Sequence, residues 1–303
     1  MYKNPYQDLD GDNSGGKWYK VNFHTHAGTG PNTCGSNSIE SVLDVYKKIK
    51  FDMICISNHD LFTDTSKFTN RNILLIPGVE YSQIQHMLTI GVNRSMHGFK
   101  HQQAIDATNG DGGFTILCHP NWTMDKHWRI NDIVKFHGYT GIEVINMLIY
   151  RLGGSGLAAD VWDKLLSMGK LVFGFGNDDF HILSDAGRSY NYIYCDERSV
   201  ESMTDAVKAG RFCASTGLMP EYLKIKKGKI AVKAKYPEDT FINSFTYRFI
   251  GENGKILSVQ TGGKAQYELD GEKEKYIRIE VTGENGALLF FQPIWLEGAF
   301  SPA

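Results

Sequence analysis

The chain has 303 residues, with 32 Lys and Arg against 34 Asp and Glu and 42% hydrophobic residues. That composition excludes disordered, collagen-like and coiled-coil classes and leaves no basic surplus for gripping nucleic acid. It suits a large buried core in one or two domains, and the ten histidines, all between His24 and His181, suggest two unlike parts.

Residues 1–17 contain no apolar segment of the secretory type and read as a flexible tail. Within them Asp8, Asp10, Asp12 and Ser14 imitate the start of a calcium loop. Asn13 stands where glycine is needed, however, and Tyr19 where the closing glutamate should be. No apolar run reaches the ~18 residues that span a bilayer, so no membrane partner is expected. The five cysteines, at 34, 55, 118, 195 and 213, form no C-x-x-C pair. They read as reduced thiols of a cytoplasmic protein, and only Cys34, in a Gly/Asn-rich loop, is expected at the surface.

From Trp18 to about Ser215, short β-like runs alternate with amphipathic helices. Strands are predicted at Trp18–His24, Met53–Ser57, Ile73–Val79, Met87–Val92, Phe114–Cys118, Gly141–Ile145, Leu171–Phe175 and Tyr192–Tyr194. Ile39, Val42, Leu43, Tyr46 and Ile49 recur at helical spacing behind Ser38, a natural N-cap. Helices are also predicted from Leu157 to Met168 and from Val200 to Ala209, each stopped by a glycine. This alternation predicts an α/β fold with mainly parallel strands, as a barrel or an open sheet. Beyond Pro220 the pattern becomes period-two strands with Gly-rich turns and no helices, which predicts an antiparallel sandwich. The domains are therefore placed at 18–220 and 221–303.

Chemistry gathers at the strand ends. His24 and His26 are two apart, so on extended chain they project to one side. His59 and Asp60 end the second strand, Glu80 the third; His86 opens the next, His119 ends another, and Asp179 and His181 close the series. In a parallel barrel these ends share one face. Imidazoles with carboxylates and no thiolate are the ligands of Zn, Mn or Fe(II) in hydrolytic sites, and this many exceed the needs of one ion. Glu80 is the candidate bridge between ions. His97 and His101 have the i,i+4 spacing of a helical metal pair without a Glu between them, and His127 and His137 have no acid neighbour at useful spacing; all four read as structural or surface residues.

In this order, WYKVNFHTH, ISNHD, PGVEYS, HMLTIGV, CHP and DFH resemble the PHP (polymerase and histidinol phosphatase) family of metal-dependent phosphoesterases, over about Trp18 to Gly217. AVKAGRFCAST, from Ala206 to Thr216, resembles the end of that region in the branch that adds a small β-domain. The resemblance implies a distorted seven-stranded (β/α) TIM-like barrel followed by a small all-β sandwich-like domain, with two or three divalent metal ions (Zn, Mn or Fe). Carried over, His24, His26, Glu80 and Asp179 would hold one ion, and Glu80, His86 and His119 a second. His59 and His181 would contribute to a third. The family usually supplies an aspartate to that third ion five residues after the second histidine of H-x-H. Here the position is Pro31, which has no side-chain ligand.

The expected reaction is hydrolysis of a small phosphorylated substrate, a mono- or diester, by hydroxide generated on the metals. His59 or His181 would act as proton donor, Asp60 would orient a ligand imidazole, and Arg188 would reach the substrate phosphate. Two rivals stand beside it: an amidohydrolase-like enzyme cleaving a C–N or C–O bond, and a non-catalytic metal-stabilised binding module.

Overall fold

The fold is taken from a computed structural model, which describes residues 1–7, 9, 15–28, 30–31, 33–123, 127–238, 244–271 and 273–302. The calcium-like positions Asp8, Asp10, Asp12, Asn13 and Ser14 lie outside the described residues.

Helix α1 (Ile39–Lys48) starts where Ser38 Oγ accepts the Ser41 amide and buries Val42, Leu43 and Tyr46. Two helices went unread in the sequence: α2 (His101–Gly110), whose polar run buries only Ala104, Ile105 and Thr108, and the four-residue α3 (Ile130–Ile133). Helix α4 (Ala159–Ser167) and α5 (Val200–Lys208) lie where periodicity put them, and Ser199 caps the latter.

The strands form two facing sheets. In the first, Lys17–Asn22, Met53–Cys55 and Leu74–Ile76 run parallel, with Tyr190–Cys195 antiparallel on the far side of Lys17–Asn22. In the second, Gly78–Tyr81, Met87–Ile90 and Phe114–Leu117 are antiparallel neighbours, and Gly141–Asn146 and Phe173–Asn177 continue it in parallel. The expectation of mainly parallel strands thus gives way to a mixed α/β arrangement. The link between Tyr81 and Met87 is too short for a crossover and turns the chain straight back. Among the described residues these ladders do not close into a barrel; the two sheets are bridged at Thr25 with Phe180 and at His59 with Glu80.

Between the sheets lies one apolar core. Phe23, Phe114 and Phe175 are fully buried there, with Phe23 edge-on to Phe114 at 5.4 Å and to Phe175 at 6.0 Å. These rings floor the strand ends that carry the histidines.

The C-terminal region is antiparallel, as its alternation implied. Met219–Lys226, Lys229–Lys235 and Ala265–Glu268 form a three-stranded sheet whose Leu223, Ile230 and Val232 share a core with Phe249, Ile279 and Val281 of the Phe245–Ile250 and Tyr276–Gly283 strands. That second layer is not detached from the α/β part. Tyr276–Gly283 pairs with Leu288–Phe291, which pairs with Phe212–Ser215, which pairs with Tyr190–Cys195.

The flexible tail expected for residues 1–17 is corrected over its first turn. Tyr2 and Lys3 pair with Leu296 and Trp295, and the buried Tyr6 hydroxyl donates to Phe212 O at 2.5 Å and accepts from Gln292 N at 2.6 Å. An aromatic residue that fills a core position beside a satisfied hydroxyl holds the segment down.

Candidate metal centre

The H-x-H segment leaves the Lys17–Asn22 strand and pairs with the segment leaving Phe173–Asn177: His26 N donates to Phe180 O at 2.9 Å, and Phe180 N to His24 O at 3.3 Å. Thr25 and Phe180 are buried, and His24, His26, Asp179 and His181 gather with the other candidates. A second junction brings the ends of two strands together, with Asp60 N donating to Glu80 O at 2.8 Å. Three residues here hold left-handed backbone without being glycine: Asp60 (φ 50°), His119 (φ 31°) and Asp179 (φ 52°). Such conformations persist only where surroundings enforce them, and they concentrate at functional sites.

Glu80, with a fully buried side chain, is the centre. Its Oε2 lies 2.9 Å from His59 Nδ1, 3.1 Å from His26 Nε2 and 3.2 Å from His24 Nε2. Its Oε1 lies 3.0 Å from His86 Nδ1 and 3.5 Å from His119 Nε2. Asp179 Oδ1 faces His24 Nε2 at 3.3 Å, His26 Nε2 at 3.5 Å and His181 Nδ1 at 3.5 Å, and its Oδ2 faces His119 Nε2 at 3.9 Å. All eight residues predicted as ligands therefore converge.

The electrostatics follow from burial around unlike charges. Burial disfavours the imidazolium of His24, but Asp179, Glu80 and Glu143 outweigh it and hold its pKa well above the ordinary value. The same contest raises His26, and lifts His59 to about 9 chiefly through Glu80. Burial pushes the Glu80 carboxyl up, yet His24, His59 and His86 bring it well below the carboxylate range. His24 Nε2, His26 Nε2, His59 Nδ1 and Glu80 Oε2 are buried without a hydrogen-bond partner. Buried polar atoms are seldom left so. Four that converge on one point, all of metal-ligand type, fit a set of divalent cations. The donor sets His24/His26/Asp179 and His59/Glu80/His86 each lie within 4.8 Å of one another.

Several site residues escaped the sequence reading. Glu143 is buried in the Gly141–Asn146 strand; its Oε1 bonds His24 Nδ1 at 2.8 Å, and its Oε2 accepts the His119 amide at 2.8 Å and Asn146 Nδ2 at 2.7 Å. A lone acid inside an apolar strand was the available signal. His127, read as structural for want of an acid neighbour, is buried with Nε2 3.0 Å from His119 Nδ1. Burial and His119 lower its pKa to about 3, so it stands neutral behind His119. Cys34 lies with Sγ 3.3 Å from His26 Nδ1 and 3.4 Å from His181 Nε2. His97 and His137 are exposed and His101 bonds Gln85 O, as structural or surface residues do.

Two predicted roles change. Among the described residues no bond joins the Asp60 carboxylate to an imidazole: it accepts from Ser82 N at 3.2 Å and Ser82 Oγ at 3.0 Å, and so fixes the loop that leads to His86. Its left-handed backbone turns the side chain of Asp60 to that loop. Arg188 is exposed, and among the described residues no bond joins its guanidinium to the cluster. Its amide, with those of Gly187 and Ser189, instead donates to the buried Asp178. The guanidinium fixed beside the site is Arg151, paired with Asp185 at 2.8 Å while Asp185 accepts the His181 amide at 2.9 Å.

No family model matches the chain, and no curated protein matches it. Among solved structures, it is similar to a two-domain protein containing a predicted PHP-like metal-dependent phosphoesterase from Bacteroides vulgatus, at 16% identity and a TM-score of 0.53, over 93% of this chain and 95% of that one. A candidate metal-dependent phosphoesterase from Bifidobacterium adolescentis matches at 13% identity and a TM-score of 0.37, over 54% of this chain and 87% of that one. The first likeness spans both parts of the molecule and shows that the two chains share a fold.

Proposed function

We propose that the protein is a metal-dependent phosphoesterase acting on a small phosphate mono- or diester. The observation that carries this reading is Glu80, one buried carboxylate whose two oxygens face five imidazoles. A carboxylate so placed suits a bridge between cations, and paired cations suit a phosphate ester. The resemblance implies a distorted seven-stranded (β/α) barrel, and the two sheets, bridged at both seams, are read as an open form of it with the site at the strand ends.

His24, His26, Glu80 and Asp179 would hold one ion and Glu80, His86 and His119 a second, drawn from zinc, manganese and iron(II). Bound there, the ions would supply Lewis acidity and a positive field for phosphate oxygens. The protein does the positioning. Glu143 holds Nδ1 of His24 and thereby turns Nε2 toward Glu80 and Asp179, and His127 does the same for His119. His59 and His181 stand at the solvent edge, with side chains 33% and 20% exposed. From that edge His59 would pass a proton to the leaving alkoxide. The five free cysteines fit a reducing compartment, the cytoplasm.

The test is metal analysis of the purified protein beside turnover of phosphomonoester and phosphodiester panels, with Glu80→Gln as the control. At least two ions per chain, and phosphate release abolished by Glu80→Gln, are expected. Turnover of amides or lactones with phosphate esters untouched would instead establish the amidohydrolase-like reading. A fully loaded protein that turns over neither class would be a binding module.

A further inference from the structure

The third family site lacks its aspartate, because the position holds Pro31, which is exposed and has no side-chain ligand atom. Three residues further on, the same loop brings a thiol to the cluster. Gly35 lies so close to the H-x-H segment that a Cβ there would meet His26 O at 2.6 Å. Ser36 N and Oγ both donate to His181 O, at 3.0 and 2.7 Å, and Gly28 N donates to Asn37 O at 2.8 Å. Tied to both histidine-bearing segments, the loop holds Cys34 Sγ 3.3 Å from His26 Nδ1 and 3.4 Å from His181 Nε2. Ligand atoms of His26, Cys34, His59 and His181 lie within 4.8 Å of one another. Beneath them the fully buried His26 Nε2 and the buried His59 Nδ1 have no hydrogen-bond partner.

We propose that Cys34 replaces the missing aspartate as the anionic ligand of a third metal site, completed by His59 and His181. His26 stays with the Glu80–Asp179 ion through Nε2, and its Nδ1–H donates to the sulfur. The proposal rests on the phosphoesterase reading and deepens it: with the third site filled, His59 and His181 are ligands and no longer proton donors. A thiolate beside two imidazoles selects zinc, cobalt or iron(II) over manganese and magnesium.

The experiment uses the full chain, stripped of metal and titrated with cobalt(II) alone. A near-ultraviolet thiolate-to-cobalt absorption is expected in the native protein and in Cys118→Ala, a variant that removes the other thiol near the cluster. Cys34→Ser should lose that band together with one bound ion while retaining the rest. Cys34→Asp should keep the ion without the band and shift its preference toward manganese. Native protein that binds cobalt without the band, or Cys34→Ser that keeps every ion, would overturn the proposal and leave the two-ion reading intact. A native chain that binds no cobalt would overturn both.

Discussion

Both carboxylate oxygens of Glu143 are engaged inside the site by other residues. It fixes the ring of His24 and the main chain of His119. Glu143→Gln preserves shape but can no longer accept at both oxygens. It should weaken metal binding or turnover roughly 10–100-fold, as outer partners of ligands do. Titration of metal-stripped Glu143→Gln with zinc measures it, and native affinity would remove Glu143 from the positioning role. Protons and cations compete for the same atoms. In metal-free protein His24, His26 and His59 are raised above 6.5. A raised group stabilises the fold fully below its unfolded value and ceases to do so as pH climbs through its folded one, about 9 for His59. Cys34, held down to about 4 by His181, His26 and His59 against its burial, offsets one of these three. From pH 6.5 to about 8, where the half-buried Lys20 begins to titrate, chelated protein should therefore lose thermal stability. Metal affinity should rise over the same interval, and a melting temperature independent of pH would contradict this account.

At the level of elements, the site depends on how closely two strands approach. Gly141 opens the Gly141–Asn146 strand opposite Phe173; a Cβ there would lie 2.1 Å from Phe173 O and 2.6 Å from the Phe175 ring. The first strand carries Glu143 and Asn146, and the second leads to Asp179. Gly141→Ala must push them apart. It should cost about 1–3 kcal/mol, the range for overpacking a tight interior, and should weaken metal binding because Asn146 Nδ2 would lose its 3.1 Å bond to Asp179. Urea unfolding with a parallel zinc titration checks both, and an alanine variant as stable as the native chain would show that the strands can give way freely.

For the whole molecule, the β-layer is bound into the α/β part at buried points. Arg278 of the Tyr276–Gly283 strand pairs with Asp163 of α4 through Nη2 at 2.6 Å and Nε at 2.7 Å, and the Tyr276 hydroxyl donates to the same carboxylate at 2.9 Å. Gln292 spans the Gly174 peptide, its amide group accepting from Gly174 N and donating to Gly174 O, each at 2.8 Å. Arg278→Ala leaves Asp163 buried without its counter-ion and should destabilise by about 3–5 kcal/mol. Its unfolding should remain a single transition in denaturant, because the continuous sheet couples both parts. Two separated transitions would show that the halves fold independently.

The sequence alone singled out the eight residues that meet around Glu80 and Asp179. Strand-end histidines and acids are legible because alternation marks strands and because parallel α/β folds gather strand ends on one face. Alternation likewise gave α1, α4, α5 and the antiparallel C-terminal strands, since one face of each must be apolar. Tertiary structure alone decided the rest. Glu143, His127 and Cys34 reach the site through partners 119, 8 and 147 residues away in the chain, and no local pattern encodes such pairings. The left-handed turn that sends Asp60 to Ser82, the docking of Tyr6 and the sheet shared by both parts are decided in the same way. Each depends on which surfaces meet once the chain has folded, and spacing along the chain carries no record of that.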